Sequence, residues 1–148
     1  MTQAPADNDL LLLQLVRVVN LAGRPFAQRV GREHQLTLPE WRVLAVVSRR
    51  PGCNASMVSD QCGMDKMAVS RALAGLEAAG RVERRADPDD HRCSRLVLTA
   101  AGQALHAIVN EAAHQREAEL FADMTPQERG QLGASLDKMI AALLRVAD

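Results

Sequence analysis

Residues 66–79 read Lys-Met-Ala-Val-Ser-Arg-Ala-Leu-Ala-Gly-Leu-Glu-Ala-Ala, and as a helix they have two unlike faces. At about 100° per residue, Val69, Leu73 and Leu76 fall together and belong in a core. The opposite side carries Met67, Arg71, Ala74 and Ala78, with Ser70 and Gly75 at its margins, where a solvated helix would carry Glu and Lys. Small, nearly uncharged residues around one Arg let a helix come close to a partner. In a DNA major groove Arg71 can fork onto guanine O6 and N7, while Met67, Ala74 or the Ser70 hydroxyl can meet base edges or a thymine methyl. Lys66, at the head of the same segment, joins this candidate set. A face packed against another helix is the competing reading of the same residues.

Shortly downstream, Arg84, Arg85, Arg92 and Arg95 flank an acidic tip made of Asp87, Asp89 and Asp90 together with His91. Acid at a DNA-facing tip makes sense if Asp90 holds Arg92, two residues along an extended segment, so that the guanidinium is pre-set to enter a narrow minor groove. On that reading Arg84, Arg92 and Arg95 are DNA contacts and Asp90 positions the tip. A solvated charged hairpin is the alternative.

The elements that must position these residues can be read from spacing. Apolar steps of three and four from Asp9 to about His34 predict one long amphipathic helix, apolar over enough of its girth to need a second subunit as well as its own core. Thr37 and Glu40, with Pro39 between them, form a capping box that opens a helix running to about Arg50, with Trp41, Leu44, Ala45 and Val47 inward and Pro51-Gly52 as the stop. Asn54 caps a short helix ending at Cys62 and Gly63, and Asp65 caps the helix over 66–79, closed by Gly80. Two helices joined by three residues including Gly make a helix-turn-helix pattern. Beyond Gly80 the period changes to two, predicting strands over 81–85 and 93–98 around the charged tip, which is a wing. Thr99 caps a long helix to about Ala122, and a second capping box, Thr125 to Glu128, opens a last helix striped with Leu132, Leu136, Met139, Ile140, Leu143 and Leu144. The predicted fold is mainly α with a small β-wing: an irregular segment over 1–8, a dimerisation helix over 9–36, a winged helix-turn-helix lobe over 37–99, and C-terminal dimerisation helices over 100–148.

Length and composition set the bounds. A chain of 148 residues and 47% apolar content suits one compact domain or a small module with a helical extension. Its apolar runs are too short to span a membrane, and the polar, acidic start does not resemble a signal peptide, so a cytoplasmic protein is expected. Eighteen basic residues balance eighteen acidic ones, and the central stretch 54–99 is itself balanced at seven and seven. Whole-chain charge therefore announces no nucleic-acid partner. Cys53, Cys62 and Cys93 form no CxxC pair and fit reduced thiols. No nucleophile elbow, phosphate loop or HExxH motif points to catalysis, and no cofactor is called for.

Taken together, Gly80 to Arg92 (Gly-Arg-Val-Glu-Arg-Arg-Ala-Asp-Pro-Asp-Asp-His-Arg), continuing through Leu96-Val97-Leu98-Thr99-Ala100-Ala101-Gly102, resembles the wing signature of MarR-type transcriptional regulators. Trp41-Arg42-Val43-Leu44 and Met67-Ala68-Val69-Ser70-Arg71 are similar to the same family, so the resemblance covers about residues 9–146. It implies a homodimer with interlocked first and last helices, whose two winged lobes read a palindromic double-stranded DNA operator. By the same resemblance, Ser70 and Arg71 lie on the recognition helix, Arg92 enters the minor groove and Asp90 is its positioning partner. Met67 departs from the polar residue common in the family at that place.

Family members also bind small aromatic or anionic effectors in a cleft beside the dimer helices, and Arg17, Arg24, Trp41 and Arg42 fall on segments expected to line it. Trp41 plus Arg17 or Arg42 suits an aromatic carboxylate, although Trp41 also lies on its helix's core stripe. Thiol control through Cys53 or Cys93 is a second possibility, since oxidation beside Arg92 would disturb the wing. A metal site is not expected, because His106 and His114 stand eight residues apart and would need a third ligand such as His34. The rival to a DNA-binding regulator is a winged-helix dimerisation or protein-interaction module that no longer binds DNA.

Overall fold

A computed structural model describes residues 11–146 apart from His91. The irregular segment expected over 1–8, the helix start at Asp9 and the tip residue His91 lie outside the described residues. The elements run α1 (Leu11–Gln28), α2 (Val30–His34), α3 (Leu38–Arg49), α4 (Ala55–Cys62), α5 (Lys66–Ala78), β1 (Val82–Ala86), β2 (Ser94–Leu98), α6 (Ala100–Leu120) and α7 (Pro126–Val146). The chain divides into two units, one up to Ala112 and one from Ala113 onward.

The single first helix expected from apolar spacing is two helices. α1 carries Pro25 within it, and a single turn residue, Arg29 (φ −109°, ψ −79°), separates it from α2. Proline offers no N–H to the helical ladder and crowds the preceding turn, a breaker that apolar periodicity does not register. α2 closes through Gln35, which is left-handed at φ 47°, and the Leu36 N–H returns to the Gly31 carbonyl at 2.9 Å.

Helix starts follow local chemistry. The Thr37 N–H donates to Glu40 Oε2 (2.8 Å) while the Glu40 N–H donates to Thr37 Oγ1 (3.3 Å), the reciprocal pair of a capping box. Asn54 Oδ1 accepts from the Met57 N–H at 2.9 Å, and Asp65 Oδ1 from the Ala68 N–H at 2.8 Å. Each such cap stabilises its helix by about 1 kcal/mol. Gly63, left-handed at φ 61°, ends α4, so α4 and α5 meet across three residues.

Around these helices one core forms in the first unit. α3 contributes Val43, Leu44 and Val47, α4 Val58, α5 Val69, Leu73 and Leu76, β2 Leu96, and α6 Leu105 and Val109, all buried. Val43 takes the place expected for Trp41 and Ala45, both of which are only half-buried. β1 and β2 pair antiparallel, with Val82 opposite Leu98 and Arg85 opposite Arg95. Cys53 lies outside the two named strands. It forms a bridge beside β2, accepting from the Leu96 N–H at 2.8 Å while the Gly52 N–H donates to the Leu96 carbonyl at 2.8 Å.

α6 begins at Thr99, whose hydroxyl donates to the Gly80 carbonyl (2.6 Å) and accepts from the Gly102 N–H (3.1 Å). Gly102 lies so close to the Arg81 carbonyl that a Cβ there would collide with it. The Leu-Thr-x-x-Gly run of the wing signature thus has a physical cause. Further along α6, His106 Nδ1 pairs with Ser48 Oγ on α3 at 3.2 Å, and burial, with the Arg49 charge nearby, pushes its pKa below the ordinary value of 6.5. In the second unit, Thr125 and Glu128 repeat the capping box, with N–H donations of 2.8 Å and 3.2 Å, and the Thr125 N–H and hydroxyl, both donating to Glu128 Oε2 at 2.8 Å, hold the Glu128 carboxyl below its usual range. No helix among the described residues is long and apolar enough to cross a membrane.

Gly102→Ala should lower unfolding stability by about 1–3 kcal/mol despite alanine's better helix propensity, because backbone must shift to admit the methyl. Urea unfolding measures it, and an unchanged midpoint would show that the junction is loose. His106, harder to protonate folded than unfolded, favours the native state above the unfolded value and loses that contribution as pH falls below about 6.5. His106→Gln should therefore flatten the fall in urea midpoint on acidification, and an equally steep fall would assign it to other groups.

Candidate nucleic-acid interface

Burial of Val69, Ala72, Leu73 and Leu76 fixes which side of α5 faces out. Lys66, Met67, Ser70, Arg71 and Ala74 are all exposed, Met67 at 67%. Gly75, expected at the margin of this face, turns toward α3, where a Cβ would collide with the Glu40 carboxylate that caps that helix. Among the described residues, nothing accepts a hydrogen bond from Lys66 or Arg71. An outward helix face with two unengaged cations among small side chains is suited to a groove lined with acceptors and phosphates.

Wing arginines divide into held and unheld. Arg84 Nε bonds Glu77 Oε1 on α5 at 2.7 Å and its Nη1 reaches Ser94 Oγ at 3.3 Å, so it ties the wing to the end of the recognition helix. Arg85 pairs with Glu83 at 2.6 Å. Arg95 forks onto Asp87, Nε to Oδ2 and Nη2 to Oδ1, both at 3.0 Å, and reaches Asp89 at 3.3 Å. This fork holds the Asp87 carboxyl below the usual carboxylate range and pushes Arg95 up. Arg84 and Arg95, expected at DNA, thus already have partners within the chain.

The expected clasp between Asp90 and the Arg92 guanidinium is replaced by another contact. Asp90 Oδ1 accepts from the Arg92 backbone N–H at 3.0 Å, and the Cys93 N–H donates to the Asp90 carbonyl at 3.0 Å. Residues two apart in this tight turn do not present their side chains as extended neighbours would, so the carboxylate meets main chain. Asp90 shapes the turn, and no described residue accepts from the Arg92 guanidinium.

Residues expected around an effector make separate contacts. Trp41 stacks at a tilt on Phe26 (5.4 Å between centroids, 39° between planes), Arg42 places its charge near Cys62, and Arg17 is exposed on α1. None of the three lines the cavity of about 380 Å³ bounded by Val47, Ser48, Pro51, Arg85, Val97, Leu98 and Gln103. Neither thiol proposed for redox control is activated. Cys53 is buried, which pushes its thiol pKa up, and exposed Cys93 is pushed up by its contact with the Asp90 carboxylate (3.5 Å). Thiolate is the reactive form, and both surroundings disfavour it. No cluster of three metal-ligating side chains occurs among the described residues.

A helix-turn-helix with an outward recognition face, followed directly by a two-stranded wing, defines a winged-helix DNA-binding protein. The MarR family's sequence profile matches residues 34–92. A MarR-family transcriptional regulator from Silicibacter pomeroyi, known by crystal structure, is 30% identical, with 89% of this chain and 86% of that one covered and a TM-score of 0.72. An HTH-type transcriptional repressor of Mycobacterium tuberculosis is 29% identical over 70% of this chain and 75% of its own length, and the homoprotocatechuate degradative operon repressor of Escherichia coli is 25% identical over 90% of each. The chain belongs to the MarR family of transcriptional regulators. These relatives are regulators, not enzymes, and this chain is a DNA-binding regulator.

Asp87→Asn should weaken the fork to Arg95 and loosen the tip, so that the backbone amides of residues 87 and 93 exchange with solvent several times faster at neutral pH. Unchanged exchange would show that backbone turns alone hold the wing.

Proposed function

We propose that the chain is a cytoplasmic homodimeric repressor that reads a palindromic operator through α5 in the major groove and Arg92 at the minor groove. One observation carries this reading: on the recognition helix and the wing, Lys66, Arg71 and Arg92 have no hydrogen-bond or ion-pair partner among the described residues, while Arg84, Arg85 and Arg95 beside them are paired within the chain. Ser70, Met67 and Ala74 complete the base-facing surface. Repression is the role named for the Mycobacterium and Escherichia relatives. Dimerisation is supported by apolar side chains left exposed on α1, such as Leu11 at 71%, and on α7, such as Leu143 at 71%. Such surface normally lies against a partner.

Control by a small effector belongs to the same proposal. The cavity of about 380 Å³ has Ser48 and Gln103 as polar groups among apolar Val47, Pro51, Val97 and Leu98, with Arg85 already paired to Glu83, which suits a small amphiphilic ligand.

The test is binding of the purified protein to DNA from around its own coding region, titrated with salt against unrelated DNA. A specific complex of one dimer per site, weakening as salt rises, is the expected result. Equal binding to all sequences, or none, would favour the protein-interaction module. Arg71→Ala should cost about 1–3 kcal/mol and relax preference at one base position, whereas loss equal on every sequence would make Arg71 a phosphate contact. Leu143→Glu should yield monomers by sedimentation, and an intact dimer would remove α7 from the interface.

A further inference from the structure

Arg81 lies outside both DNA-facing sets, yet four elements meet at it. Its guanidinium donates through Nη1 to the Gln35 carbonyl at 3.0 Å and through Nη2 to the His34 carbonyl. These are the carbonyls at the C-terminal end of α2, where Gln35 turns left-handed and the capping N–H groups go instead to Arg32 and Gly31. A helix leaves its last carbonyls without helical partners, and a cation there is favoured by the helix dipole as well. The main chain of Arg81 is equally committed. Its N–H donates to the Leu76 carbonyl of α5 (2.8 Å), its carbonyl accepts from Thr99 (3.1 Å) before α6, and β1 starts at the next residue.

The side chain therefore reaches the arm formed by α1 and α2, while the backbone is built into the exit of the recognition helix. We infer that Arg81 is a positioning residue that fixes α5 against this arm. In a dimer built on the arm, and thus resting on the function proposed above, it sets the separation of the two recognition helices and so the operator spacing that the protein accepts. Two donors in one plane can satisfy two neighbouring carbonyls together, which a lysine ammonium does less well.

Arg81→Leu keeps the aliphatic stem and the backbone bonds while removing every donor, and Arg81→Lys restores charge alone. By hydrogen exchange on the free protein, Arg81→Leu should speed exchange of the Gln35 and Leu36 amides several-fold and leave the buried α3 amides unchanged. On operators with half-sites moved apart or together by single base pairs, the wild type should show a sharp optimum. Arg81→Leu should lose about tenfold at that optimum, the effect of roughly one charged hydrogen bond, with a flattened spacing profile and unchanged affinity for random DNA. Arg81→Lys should fall between.

An unaltered spacing profile, or equal loss on operator and random DNA, would overturn the inference even if the melting temperature fell, because that pattern belongs to a purely structural role. Unchanged exchange at residues 35 and 36 would overturn it without reference to DNA. Wild-type protein with no operator preference would instead refute the proposed function, leaving the exchange result to decide whether Arg81 holds the two elements together.

Discussion

Gly80 takes φ 67°, and the recognition helix can turn directly into the wing only because that residue has no side chain to oppose the left-handed turn. The Arg81 N–H returns to the Leu76 carbonyl and the Gly80 N–H to the Glu77 carbonyl, closing α5 with the paired bonds of a Schellman motif. The Gly80 carbonyl then accepts the Thr99 hydroxyl, and Gly102 lets α6 come against Arg81. The exit of the recognition helix, the root of the wing and the start of α6 thus share a handful of atoms. A change at this junction would move the outward face of α5 and the wing together, so the two form one rigid unit.

That rigidity explains how a lobe with balanced charge can serve DNA. Seven acids accompany seven bases over residues 54–99, but six of the acids, all except Asp60, are engaged within the chain. Asp65 caps α5, Glu77 holds Arg84, Glu83 holds Arg85, Asp87 and Asp89 hold Arg95, and Asp90 shapes the turn. On α5 and the wing, the charged side chains without a partner among the described residues are the cations Lys66, Arg71 and Arg92.

Much of this was legible in the sequence because helix caps are local: Thr37, Asn54, Asp65 and Thr125 each act on a group three residues away. The buried side of α5 followed from period alone. Contacts across long separations were not legible. Ser48 meets His106 fifty-eight positions on, and Arg81 reaches back forty-seven to His34. The wing shows the limit clearly, since the sequence placed acids and arginines at the same tip but paired Asp90 with the Arg92 guanidinium. Strand register decided otherwise: Ala86 lies opposite Ser94, so the next residue, Asp87, comes within reach of Arg95 across the hairpin. The apolar stripe of the first helix carries no mark of the turn at Arg29, and Cys53 gave no sign that an isolated bridge would bury it.

The two ends of the chain obey a different balance from its centre. α3 to α6 surround a core whose largest members are fully buried, so this lobe holds its apolar groups within one chain. α1 in the first unit and α7 in the second keep Leu12, Leu13, Ile140 and Leu144 exposed, and no residue of α7 is buried. The capping box at Thr125 sets where α7 begins but supplies only about 1 kcal/mol, too little to hold a long helix whose stripe stays wet. Most helical stability in proteins comes from covering such a stripe. The terminal helices therefore carry apolar stripes that their own chain leaves uncovered, whereas the winged lobe covers its own.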